Sequence, residues 1–295
     1  MGATLPSGLL LTRRLVDEGS RVRALVLNAG RSREVLPDGV EIVEVRLDRM
    51  SIQDACSGAG VIYNLFEPTS RRNSGMAADI ASAVMLSAIQ SGARVVMASY
   101  PFRHESDNSS MEQEALSAHQ SGLVNVTVAR FPQVFGPGVR SPLLSNVYNE
   151  VLEGNTAHWL GDLDAPRSLL FIEDAVNGLV LLGKEEKAQG KVWNVVGADP
   201  LTGREFINLA FEAVQKRGNP SVWGRGLMMT AGVFDSRARR FLEMPYDFYS
   251  GFVLDGSRFA EVFPEFAFTP SREAISRTLE AYREGVQRKV PEALT

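Results

Sequence analysis

Residues Met1-Gly2-Ala3-Thr4-Leu5-Pro6-Ser7-Gly8 form a glycine-bearing turn directly ahead of Leu9 to Val16, where apolar residues recur at helical spacing. A turn of this kind presents backbone N–H groups and the positive end of a helix dipole, and the two together bind pyrophosphate. Gly2, Thr4, Leu5, Pro6, Ser7 and Gly8 are therefore candidate contacts for the phosphates of a dinucleotide. Gly19 stops the helix, and Arg21 to Leu27 reads as a strand. Asn28 follows that strand, then Arg31 and Arg33, where an NAD site would carry Asp or Glu for the ribose 2′-hydroxyl. Cations there suit a 2′-phosphate, so the expected cofactor is NADP, with NAD less favoured. Solvated loop charge is the plain alternative for both arginines.

Two further groups could move protons. Tyr100 places a phenol just after the apolar run Arg94–Ser99, and His104 lies in the loop beyond it. An unassisted phenol with a pKa near ~10 is a poor base at neutral pH. An imidazole near ~6.5 can give or take a proton there. Tyr100 and His104 are the catalytic candidates, against the plainer readings of a side chain packed at a cleft edge and a solvated loop. His119 and His158 stand at no metal-ligand spacing, and the single cysteine, Cys56, excludes a disulfide framework and a cysteine-rich zinc site. No metal is expected.

Such groups need a scaffold that gathers strand ends. Strand-like runs at Leu25–Asn28, Glu41–Val45, Val61–Leu65, Arg94–Ser99 and Asn125–Phe131 alternate with helical runs at Met50–Cys56, Met76–Gln90 and Met111–Gln120. That rhythm predicts an α/β fold with a doubly wound, Rossmann-like parallel sheet, and runs such as Val95-Val96-Met97-Ala98 fit strands buried on both faces. The strand that should precede the glycine turn is absent from the chain; either the sequence starts inside a longer chain whose fold is whole, or the sheet lacks this strand and leaves unpaired edges beside the gap. After Gly138 the pattern turns irregular and aromatic, with Trp159, Trp193, Trp223 and a Phe/Tyr cluster from Phe241 to Phe252. We read residues 1–140 as a dinucleotide-binding core and 141–295 as a smaller C-terminal α/β cap, with 167–182 returning to the core and a closing helix over Ser271–Gly285. The aromatics either line an apolar pocket or pack the cap.

With 295 residues, 44% of them hydrophobic, the chain can bury a substantial core. Its net charge of −4 supplies no basic field for nucleic acid or an anionic membrane, and neither is an expected partner. No run approaches the ~20 apolar residues of a membrane span, and no signal-peptide order opens the chain. A cytoplasmic setting is the expectation.

Arg130-Phe131-Pro132-Gln133-Val134-Phe135-Gly136-Pro137-Gly138 is a strand running into a tight Gly-Pro-Gly turn. Through it the chain resembles the extended short-chain dehydrogenase/reductase family, the nucleotide-sugar epimerase and dehydratase group. Gly92 to Ser99, Arg167 to Val176, Lys191 to Gly197 with Thr202 and Glu205, and Leu254 to Arg258 resemble further family segments in order and spacing. The resemblance implies that Asp48 lies on the adenine side and that Leu65, Phe66, Ser99, Pro132 and Val134 complete the cofactor contacts. It places Tyr100 at the assisting hydroxyl beside the substrate and Arg167 against a substrate phosphate. An ion pair of Arg167 with Asp162 or Asp164 is the alternative. It also implies a small organic substrate and a homodimer through the helices at Met76–Gln90 and Met111–Gln120.

Two departures bear on function. Leu5 replaces the middle glycine of the family's phosphate turn. The family's Tyr-x-x-x-Lys pair is missing as well, since no tyrosine here is followed four residues later by lysine. Counting from Glu114 as the acid four positions after that lysine puts Ser106 and Ser110 in their places. These features predict an atypical NADP-dependent reductase or epimerase-like enzyme. Its rivals are a non-catalytic regulator or scaffold on the same fold, and a non-redox lyase, isomerase or cyclase that has discarded nicotinamide.

Overall fold

The computed structural model describes residues 1–66, 74–100, 105–223 and 251–285. Helix α1 (Pro6–Asp17) leads to β1 (Arg23–Val26), α2 (Ala29–Arg33), β2 (Glu41–Glu44), α3 (Arg49–Cys56), β3 (Val61–Asn64), α4 (Ser74–Ser91), β4 (Arg94–Ser99), α5 (Glu105–Gln120) and β5 (Asn125–Arg130). All the strand pairs are parallel, with β3, β4, β5 and the later β9 (Lys191–Asn194) forming one sheet in that order.

The sequence alternation explains why both faces are covered. Val95 and Met97 of β4 join one apolar cluster with Ile52 of α3 and Ile80 and Val84 of α4. Val96, between them, belongs to the opposite cluster, with Leu11 of α1 and with Val176 and Leu179 of α7 (Ile172–Lys184). Successive side chains of a strand point to opposite faces, so a continuous apolar run buries both. This is the expected doubly wound Rossmann-like arrangement. Most strands begin and end within two residues of expectation, but α5 starts six residues before Met111. Its first turns, Glu-Ser-Asp-Asn-Ser-Ser, carry no apolar periodicity to announce a helix.

Strands β1 and β2 form their own pair, and among the described residues no strand hydrogen bond joins β1 to β3. Met1 lies in the interval. Its ammonium donates to the Tyr63 carbonyl at 3.0 Å, and its own carbonyl accepts from Leu65 N–H at 3.2 Å. On the other side Ala3 and Leu9 pack against Ala24 and Val26 of β1. The turn at 2–8 thus occupies the interval between the two sheets.

The second half contributes β6 (Gln133–Phe135), α6 (Pro142–Glu153), β7 (Ala157–Leu160), β8 (Leu169–Phe171), α8 (Gly203–Ala213), β10 (Pro220–Trp223), α9 (Ser257–Val262) and α10 (Ser271–Arg283). Strand β6 pairs with β8, and β7 with β10. A third core joins Leu144 and Val147 of α6, Phe206 and Ile207 of α8, and Ile275 and Leu279 of α10 around Trp159. Trp159 and Trp193 are 0% and 1% exposed, so these two aromatics pack the protein interior rather than line an open pocket. Of the cluster from Phe241 to Phe252, residues 241–250 lie outside the described residues.

Candidate active site

The phosphate turn is built by steric necessity at its two ends. Gly2 has φ +79, a left-handed conformation that side chains other than glycine's resist. At Gly8 an added Cβ would stand 2.0 Å from the Gly2 carbonyl oxygen, so only glycine lets α1 start this close to the turn. Leu5, the residue before the helix, offers no side-chain cap, and Pro6 opens the first turn. The ends of the cradle therefore fit a pyrophosphate, with the amides of Ser7 and Gly8 at an uncapped helix N-terminus. Leu5 narrows the middle.

At the end of β1, Asn28 caps α2 by accepting Arg31 N–H on Oδ1 at 2.9 Å. Arg31 and Arg33 are exposed on this short helix. Glu44 Oε2 accepts the Ala29 amide at 2.8 Å, which sets a negative charge at the start of α2. Asp48 accepts Ser51 N–H at the start of α3 and pairs with Arg46 at 3.0 Å. Those contacts hold its carboxyl below the usual range, the backbone hydrogen bond contributing most. An open cleft of about 560 Å³ runs along Arg23, Glu41, Val43, Glu44, Arg46 and Asp48 without reaching Leu5 or Tyr100.

Leu65 is buried beneath Gly2, and the Phe66 amide donates to Asn64 Oδ1 at 3.2 Å. Ser99 ends β4 with its hydroxyl donating to Glu112 Oε1 at 2.6 Å. Arg130, its register partner on β5, grips the same carboxylate, with Nε 3.0 and 3.1 Å from the two oxygens and Nη2 on Oε2. Glu112 is thus the acid that α5 turns inward, whereas Glu114 is exposed. His104 lies outside the described residues.

Tyr100 is half-buried, and its ring meets Phe131 edge-on at 5.9 Å. Pro132 is buried, and Val134 sits in β6 opposite Leu170. Arg167 is 4% exposed, with its guanidinium 4.9 Å above the Trp159 ring. Burial lowers its pKa to about 10, against the opposing pull of Asp162, and it keeps its charge at neutral pH. Asp164 is not its partner, because that carboxylate binds Arg204 at 2.7 and 2.9 Å. Neither of the other histidines adjoins the cradle: His158 pairs with Glu150 at 2.8 Å, and His119 Nδ1 lies 3.0 Å from the Val124 carbonyl.

Sequence reading missed Glu112, Arg130 and Glu44. The first two are one ion pair with a buried carboxylate and a half-buried guanidinium, and only an acid on α5 and a cation at the end of β5 hinted at it.

Residues 109–196 match the family model described as the NAD dependent epimerase/dehydratase family, which bears out the resemblance drawn from the sequence. The chain is similar in fold to UDP-glucose 4-epimerase from Thermotoga maritima, solved with UDP-glucose. The two share 15% identity over 97% of this chain and 98% of that one, at a TM-score of 0.76. It is also similar to the Thermus thermophilus UDP-glucose 4-epimerase complex with NAD, at 17% identity, 96% and 97% coverage and a TM-score of 0.73. A third similar structure is a dTDP-glucose 4,6-dehydratase from Streptomyces venezuelae with NAD bound, at 16% identity, 98% coverage of both chains and a TM-score of 0.73. No curated protein sequence matches the chain. Among the described residues no helix is long and apolar enough to cross a membrane.

Proposed function

We propose that this chain, which has the fold of the epimerases and dehydratases and their family signature across residues 109–196, is a nicotinamide-dependent oxidoreductase acting on a small organic carbonyl or hydroxyl compound. One observation carries the reading: glycine ends and an uncapped helix N-terminus form a pyrophosphate cradle at the edge of a parallel sheet, where α/β folds bind ligands. When bound, the nicotinamide supplies hydride transfer. Gly2, Thr4, Leu5, Pro6, Ser7 and Gly8 face the phosphates, Asn28 and Arg31 the adenosine ribose, and Asp48 the adenine. Leu65, Phe66, Ser99, Pro132 and Val134 line the remainder.

Arg31 and Arg33 favour NADP and Glu44 opposes it; with two cations against one carboxylate we retain NADP as the preferred cofactor. Tyr100 and His104 are the groups that deliver a proton to the substrate oxygen, and Arg167 receives an anionic substrate group under the 141–295 cap. Loss of the Tyr-x-x-x-Lys pair favours a second reading, a protein that binds the nucleotide without turnover.

Titration of NADPH and NADH fluorescence tests the proposal: both should bind, NADPH the more tightly, and Arg31→Glu should narrow the difference. Binding of neither rejects it. With NADPH bound, carbonyl-dependent oxidation should fall by about a hundredfold in Tyr100→Phe or His104→Gln. Unchanged rates in both variants would remove these residues from the chemistry, and binding with no turnover on any carbonyl would favour the second reading.

A further inference from the structure

The middle of the cradle differs from its ends in two ways that both reduce its hold on phosphate. The first is space. Leu5 Cδ1 lies 3.1 Å from the point where a Gly2 Cβ would stand, so the isobutyl group reaches back across the turn and fills room that a glycine at position 5 would leave open. Leu5 has φ −66 and ψ 155, an extended conformation open to any residue. A glycine here would be required by the ligand and not by the chain. The second is donors. The Leu5 amide is spent on the Gly2 carbonyl at 3.1 Å, and Pro6, at the first helical position, has no amide hydrogen. Two consecutive positions at the mouth of the helix therefore offer nothing to an anion.

We infer that Leu5 and Pro6 make the nucleotide an exchangeable co-substrate, so that the protein catalyses net reduction and not an internal epimerisation. This rests on the nicotinamide reading above. An epimerisation that returns the hydride to the same molecule requires the nucleotide to stay bound through two transfers. A weakly held nucleotide leaves after one. In net reduction a hydride from NAD(P)H adds to the substrate carbonyl carbon and a proton adds to its oxygen, giving an alcohol. The oxidised nucleotide dissociates, and a second reduced nucleotide supplies the next turnover.

The test is nucleotide retention and affinity in the full chain. Purified protein loaded with NADPH is desalted, its remaining nucleotide is counted, and Kd is measured for wild type, Leu5→Gly, Leu5→Ala and Pro6→Ala. Wild type should lose its nucleotide on desalting. Leu5→Gly should bind about tenfold more tightly through the space it opens, and Pro6→Ala by a similar factor through the N–H it restores. Leu5→Ala guards against misfolding of the glycine variant. Stoichiometric nucleotide retained by wild type overturns the inference alone, as does NADPH binding of equal strength in all four proteins. Absence of binding in all four overturns this inference and the nicotinamide reading together.

Discussion

Glu112 is a carboxylate with 7% of its side chain exposed, and among the described residues Arg130 and Ser99 both donate to it. Removing one partner of such a pair leaves a buried charge stranded. We expect Arg130→Ala, which strands the buried Glu112 carboxylate on α5, to lower unfolding stability by about 3 kcal/mol in urea titration. Glu114→Ala, on the exposed face of the same helix, should change it by less than about 0.5 kcal/mol. A second carboxylate gives a pH signature. Burial raises the Asp174 pKa above its ordinary 3.8, although the Thr269 amide and hydroxyl donate to it at 2.9 and 2.8 Å. A carboxyl whose folded pKa exceeds its unfolded one adds stability at low pH and loses it as pH rises through the folded value. Wild type should therefore lose stability relative to Asp174→Asn as pH climbs from about 3.8 through the mildly acidic range; a difference independent of pH would refute the assignment. Which acid of α5 faces inward was not legible in the sequence. Residues two apart on a helix lie on nearly opposite sides, so a slip of two exchanges a buried group for a solvated one.

The elements themselves show what short-range pattern can and cannot specify. Thr202 and Glu205 form both bonds of a capping box at the start of α8, as their three-residue spacing announces. Thr202→Ala should cost about 1 kcal/mol in thermal or chemical unfolding. The start of α1 is also legible, in Gly8, but its consequence is steric. An alanine methyl there would collide with the Gly2 carbonyl, so Gly8→Ala should lower Tm and abolish NADPH binding together. A variant that binds normally would show that the turn can rearrange. The strands of the main sheet were readable because burial on both faces leaves a continuous apolar run. Strands β7 and β10, of four residues each, were not, since so short a run carries no period and is set by the partner across the sheet.

Across the whole molecule, apart from the β6–β8 and β7–β10 pairs, the described strands divide into β1–β2 and β3–β4–β5–β9, bridged at the turn by Met1 and by side-chain packing. Few backbone bonds tie the smaller pair to the larger sheet. In hydrogen exchange, amides of β1 and β2 should open at lower free energy than those of β4 and β5, and equal protection would show that packing alone unites the two. The alternation of strands and helices announced a parallel sheet. The contact of Met1 with Tyr63 and Leu65 had no sequence signal, because it joins residues more than sixty positions apart. Elsewhere the long-range ties converge on one place. Arg167 exchanges backbone hydrogen bonds with Leu201 in both directions, the adjoining Ser168 amide donates to the Phe252 carbonyl at 2.8 Å, and the Ser168 hydroxyl accepts the Leu254 amide at 3.1 Å. In the vocabulary of linkages, Arg167 is a pin through three arms of chain. A displacement imposed on residues 201 or 252–254 therefore pulls on the stretch of backbone that carries this buried cation.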